Sequence, residues 1–145
     1  MKRLLVIEDG TEYAEFARLF LAADFEIEAV STAKDALAAL TARAADALLI
    51  DLRFERAAPE DLVGDLAGTA ARLFSGDRAR ALRYLKDQQG ALVLGELRAA
   101  GFAQPAVFIH DLPPRRLANL RQLYGDVAAI PSFDAAALRV ALGAA

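Results

Sequence analysis

Three carboxylates stand where two apolar runs end. Leu4-Leu5-Val6-Ile7 leads straight into Glu8-Asp9, and Ala47-Leu48-Leu49-Ile50 leads straight into Asp51. Each run is short, wholly apolar and closed by acid, the pattern of a strand buried on both faces of a parallel sheet. Open α/β sheets bind ligands beyond the carboxyl ends of their strands. Glu8, Asp9 and Asp51 are therefore expected to converge on one acidic pocket. Such a set suits a hard divalent cation, Mg2+ above all, which takes oxygen ligands, keeps several waters and works with one or two carboxylates plus phosphate. The alternative is three solvated acids at strand ends. No Gly-rich phosphate loop, Ser-His-Asp set or zinc-type spacing occurs in the sequence, so a metabolic enzyme is not expected.

The elements that must position these acids follow from periodicity. Residues 2–8 read as the first strand. Residues 11–22 read as a helix, with Tyr13, Phe16, Ala17, Phe20 and Leu21 in an apolar stripe and Thr11 as its cap. Residues 25–30 alternate as a half-exposed strand, and Ser31 or Thr32 caps a helix to about Arg43 that turns Ala36, Leu37 and Leu40 inward. Residues 46–51 are the third strand. This βαβαβ order predicts a parallel sheet with right-handed crossovers.

Residues 53–89 then interrupt the alternation and read as a helical insertion. Pro59 opens a first helix whose apolar face is Leu62, Val63, Leu66, Ala70, Leu73 and Phe74. Ser75-Gly76-Asp77 is a turn, and a second helix from Asp77 is expected to run on through Gly90 to Ala99 as one long helix, with Gly90 and Gly95 as its weak points. Its apolar faces either pack over the sheet end as extra core, the favoured reading, or bind a partner helix with the basic stretch 72–86 at the rim. Alternation resumes with a helix ended by Gly101, a strand at 105–110, a helix at 115–123, a strand at 127–130 and a last helix at 135–141 capped by Ser132 or Asp134. Residues 1–145 are expected to form one domain, without a fused output domain.

Composition narrows the class. A chain of 145 residues that is 56% apolar can bury a real core. A formal charge of -3 gives no electrostatic reason to expect nucleic acid or an anionic membrane as partner. The absence of cysteine removes disulfides and zinc-thiolate sites and fits a reducing cytosol. No apolar stretch approaches the roughly 20 residues of a bilayer span, and Glu8-Asp9 ends the first one too early for a signal peptide. A cytoplasmic protein is expected, and abundant Ala, Leu and Arg fit a GC-rich bacterial genome.

With these motifs in order, the chain resembles the receiver domain of two-component response regulators, the CheY-like family. The resemblance covers roughly residues 1–52 and 90–143. Glu8-Asp9 matches the acidic pair after strand 1, and Asp51 matches the phosphoacceptor aspartate ending strand 3. Residues 90–98 match the Gly-led helix that follows. Residues 105–110 match strand 4, and Ile130-Pro131-Ser132-Phe133 stands where a Lys-Pro pair and an aromatic residue close strand 5. The resemblance implies a flavodoxin-like α/β fold, a doubly wound five-stranded parallel sheet of order 2-1-3-4-5, with the helical insertion after strand 3. It also implies Mg2+ held by Asp9, by Glu8 directly or through water, by Asp51 and by the Arg53 backbone carbonyl.

Three switch positions depart from the family. His110 replaces a hydroxyl that donates to the phosphoryl group. An imidazole can also donate, or His110 pairs simply with Asp111. Val127 stands at the aromatic switch position. Ile130 replaces the lysine that contacts the phosphoryl oxygens, a role that Arg53 or Arg56 from the insertion could take over. The resemblance implies an atypical stand-alone receiver in phosphorelay signalling, with a histidine kinase or downstream target as partner. The alternatives are a phosphorylation-independent pseudo-receiver that binds proteins, and a flavodoxin-like domain holding a small ligand under the insertion.

Overall fold

The computed structural model describes residues 1–144. Five parallel strands form one sheet in the order β2-β1-β3-β4-β5. They are β1 (Lys2–Ile7), β2 (Phe25–Val30), β3 (Ala47–Ile50), β4 (Ala106–Ile109) and β5 (Val127–Ile130). The doubly wound order expected from the sequence is thus the one observed. The register sets Ile7 beside Ile50, Ile50 beside Phe108, and Ile109 beside Ile130, so β1, β3, β4 and β5 all end at one rim.

Alternate strand residues feed two cores. On one face Leu4, Val6, Leu49, Val107 and Ile109 pack against α1 (Glu12–Phe20) and α7 (Ala135–Ala141). On the other, Leu5, Ile7, Leu48, Ile50 and Phe108 pack against α2 (Ala33–Ala42), α5 (Gln89–Ala99) and α6 (Pro114–Tyr124). The inner strands β1, β3 and β4 have no polar face because both faces are covered. Edge strand β2 is only partly buried, in keeping with its alternation. A second anchor lies at the opposite rim, where buried Arg3 reaches the carbonyls of Arg43 and Ala44 and pairs with Glu28.

Several local expectations are corrected. The Thr11 side chain does not cap α1. The buried line of α1 is Ala14, Ala17 and Leu21, whereas Phe20 is half exposed, because small residues let the helix approach the sheet closely. Pro59 begins only a three-residue 3-10 turn, Pro59–Asp61, and α3 starts later, at Leu66–Leu73, leaving Leu62 and Val63 outside it. Helix α4 (Arg78–Asp87) is separate from α5: the chain breaks at Gln88. The break is forced by burial. The Gly90 N–H donates to the Leu52 carbonyl at 2.8 Å, and any side chain at Gly90 would collide with the Asp51 carbonyl oxygen. Thr32, Asp77 and Asp134 cap α2, α4 and α7 through their side chains.

The segment between β3 and α5 packs rather than projecting. Phe54, Ala70, Ala81 and Leu85 are buried, and the Gln89 amide holds Val63 through both its oxygen and its nitrogen. Among the described residues no helix is long and apolar enough to cross a membrane.

Candidate functional site

Asp51 follows the last residue of β3, the central strand, and Asp9 follows β1 beside it. Both carboxylates line one cavity of about 320 Å3, together with Glu12, Tyr13, Arg53, Glu55, Arg56 and Phe133. The two acids that the apolar runs deliver to the rim therefore do meet. Glu8 does not join them. Its carboxylate turns under α1, where Oε1 accepts the Tyr13 N–H at 3.0 Å and Oε2 accepts the Ala14 N–H at 2.8 Å. Glu8 is buried as the true cap of α1, and that burial raises its pKa despite the two N–H donors. Two orphan amides at a helix start attract an anion, and Glu8 supplies it.

Asp51 is held by the backbone that follows it. Its Oδ1 accepts the Arg53 N–H at 3.3 Å. The Tyr13 hydroxyl donates to the Ile109 carbonyl at 2.9 Å and lines the same cavity as Asp51. Burial first, then the charges of Asp9 and Glu8, raise the Asp51 pKa to about 6. The Tyr13 hydroxyl is itself pushed upward by burial and by the Asp51 charge.

The cavity wall carries its own ion pair. Arg56 Nη2 lies 2.9 Å from Glu12 Oε1, and the Arg56 backbone N–H donates to Asp9 Oδ2 at 2.5 Å. Arg56 holds the Glu12 carboxyl down at about 2. Residues 53–56 thus form a strap across the site, fastened to Asp51 through Arg53 and to Asp9 and Glu12 through Arg56.

Of the three switch positions, His110 and Ile130 stand at the rim of this cavity without lining it, and Val127 lies at the far end of β5. His110 follows β4; burial first, then Arg53 and Arg116, lower its pKa, so it is a neutral imidazole at neutral pH. Asp111 opposes that shift but does not reverse it. Val127 is buried at the start of β5, in the core beneath α6. Ile130 ends β5 against the core on the α1 side and brings no charge to the rim. The Ile130–Pro131 bond is trans.

Among the described residues no three acidic or histidine side chains converge as a ligand set. Asp9 and Asp51 nevertheless face one cavity, and neither is in a salt bridge. A half-buried carboxylate whose pKa is raised by burial and by its acidic neighbours is the environment a cation relieves. Two carboxylates also meet the protein share that Mg2+ needs. The residues present fit the ion, with Asp9 and Asp51 as its carboxylates.

Spacing along the chain does not single out Tyr13 or Glu12 for this site. Tyr13 belongs to the apolar stripe of α1, and the one available signal is its hydroxyl: a tyrosine on a buried stripe needs a polar partner at its tip. Glu12 reads as an ordinary acid in the first turn of a helix.

Neither a protein-family model nor a curated protein sequence matches the chain. Solved structures do. The chain is similar to the receiver domain of the Francisella response regulator 1452, at 15% identity and a TM-score of 0.62, over 99% of this chain and 94% of that one. It is similar to the receiver domain of NtrX from Brucella abortus, at 18% identity and a TM-score of 0.62, over 98% and 99% of the two chains. It is also similar to the signal receiver domain of a putative Luxo repressor protein from Vibrio parahaemolyticus, at 15% identity and a TM-score of 0.64, over 98% and 87%. At such identities the likeness is one of fold: this chain has the fold of response regulator receiver domains.

Proposed function

We propose that this chain, built on the receiver fold, is a module of two-component signalling with Asp51 as its phosphoacceptor. The observation that carries this reading is the placement of Asp51. It ends the central strand, opens into one cavity with Asp9, and has a pKa of about 6, so it is an available carboxylate nucleophile at neutral pH. Asp9, Asp51 and the Arg53 backbone carbonyl would hold Mg2+, which supplies the charge neutralisation that phosphoryl transfer depends on. Glu8 would support the site from behind as the α1 cap. In this reading a histidine kinase is the donor, a downstream protein is the target, and the chain works in the cytoplasm.

The test is incubation with acetyl phosphate and Mg2+, read by intact mass. One phosphoryl group on the wild type and none on Asp51→Asn is the expected result. Thermal stabilisation by Mg2+ should disappear in Asp9→Asn and Asp51→Asn and persist in Glu8→Gln. Wild type that takes up no phosphoryl group under these conditions refutes the acceptor role.

One observation favours a second reading. Ile130 leaves the end of β5 without a cation, and a phosphorylation-independent binding module has no need of one. That reading expects partner binding unchanged in Asp51→Asn.

A further inference from the structure

A phosphoryl group on Asp51 would stand in a cavity already lined by Asp9, Glu12 and Glu55. Mg2+ would neutralise part of its added negative charge, and a fixed cation of the protein within reach would meet the remainder. β5 offers Ile130, so the cations of the cavity are Arg53 and Arg56. Arg53 also lines the cavity, but only its backbone N–H is fixed there, on Asp51. Arg56 is placed differently. Its backbone N–H is fixed on Asp9, while its guanidinium rests on an exposed carboxylate, Glu12, at 2.9 Å. The pair lies across Gly10, where any side chain would collide with the guanidinium and with the Glu12 carboxylate.

We propose that Arg56 is the cation that meets the phosphoryl group on Asp51, and that Glu12 is its resting counter-ion. This proposal rests on the phosphoacceptor reading above. In the step, an Asp51 carboxylate oxygen attacks the phosphorus of a small acyl phosphate. The new P–O bond forms as the bond from phosphorus to the acyl oxygen breaks, and the carboxylate leaving group departs with the electron pair. No proton moves to or from Arg56. The guanidinium then exchanges one anion for another. An exposed Arg–Glu pair is weak, whereas an Arg–phosphoryl pair is bidentate and charge-assisted, so the exchange runs toward the phosphoryl group. Glu12 is left unpaired at the edge of an apolar groove of about 390 Å3 that contains Phe16, Leu19, Phe20 and Phe133. Phosphorylation therefore changes the charge at the rim of an exposed aromatic surface.

The experiment compares wild type, Arg56→Gln, Glu12→Gln, Arg80→Gln and the double variant Arg56→Gln/Ile130→Lys with acetyl phosphate and Mg2+. Arg56 is an exposed side chain, and the glutamine variant keeps the backbone bond to Asp9. Arg56→Gln should slow phosphoryl uptake about tenfold or more. Glu12→Gln should accelerate it, and Ile130→Lys should restore part of the loss. Arg80→Gln, on α4 outside this cavity, should match wild type. An independent readout is the Arg56 Nε–H signal in NMR, which should shift when beryllofluoride is added to wild type and not to Asp51→Asn. Uptake by Arg56→Gln at the wild-type rate, with no shift of that signal, overturns the role of Arg56 while leaving Asp51 as acceptor. No uptake by wild type itself removes the acceptor reading and this proposal together.

Discussion

Glu8 and Ala14 are joined by a 2.8 Å hydrogen bond from the helix amide to the carboxylate, which makes the first acid of the chain a structural cap. Glu8→Ala should lose about 0.5–2 kcal/mol of stability, the usual value of a helix cap, with Glu8→Gln losing less because its carbonyl still accepts. Urea denaturation measures both. The sign with pH is distinctive. Burial raises the folded pKa above the ordinary 4.5, so the native state holds the proton more tightly than the unfolded chain. The contribution of Glu8 therefore falls as pH rises from 4.5 through its folded value. Glu8→Gln should abolish that part of the pH dependence.

Asp51 works in the same direction over a window from 3.8 to about 6. Below it Asp51 is protonated in both states and costs nothing. Above it the folded protein carries a half-buried charge beside Asp9, so stability falls as pH rises through the window. Asp51→Asn should therefore raise the melting temperature at pH 7.5 and leave it nearly unchanged at pH 3. Equal shifts at both pH values would show that the Asp51 charge is not the cause. Carboxyl carbon NMR should place its titration near pH 6.

Tyr13→Phe removes a hydroxyl that donates to the Ile109 carbonyl and lines the cavity beside Asp51. The neighbouring Tyr13 hydroxyl lowers the Asp51 pKa, so its loss should move the Asp51 titration above 6. The unsatisfied Ile109 carbonyl should cost about 1 kcal/mol, in line with a single buried hydrogen bond. An unchanged Asp51 titration in this variant would separate Tyr13 from the site.

Gly90→Ala is the severe variant. A Cβ there meets the Asp51 carbonyl and lies 2.8 Å from the Leu52 Cα, and both are backbone. Overpacking of this kind costs about 1–3 kcal/mol, and the shift it forces falls on the residue that bears the candidate acceptor. Gly95→Ala meets only the tip of the Tyr124 side chain and should be milder. Comparing the two by chemical denaturation tests whether α5 is seated through Gly90.

The sheet was legible because its inner strands are uninterrupted apolar runs with short αβ connections, and such runs have one parallel arrangement available to them. Val127 and Ile130 bound β5 in the structure as they do in the pattern. The segment after Asp51 was less legible. Its helices carry mixed faces, and the break at Gln88 depends on a contact between Gly90 and β3 that no local periodicity contains.

The linear order of residues was enough to bring Asp9 and Asp51 to one rim, since alternating apolar runs and crossover helices leave strand ends nowhere else to go. It also told that β5 would bring no lysine, because Ile130 is simply there. Only the tertiary structure decided that Glu8 belongs to the helix and Asp9 to the cavity, although the two acids are adjacent. Two unpaired amides at the start of α1 claim the nearer carboxylate. It likewise decided that Arg56 lies over Glu12 and Asp9, 44 and 47 residues away in sequence. Those partners are chosen by the path of the strap across the sheet end, a relationship between distant backbones that spacing along the chain does not encode.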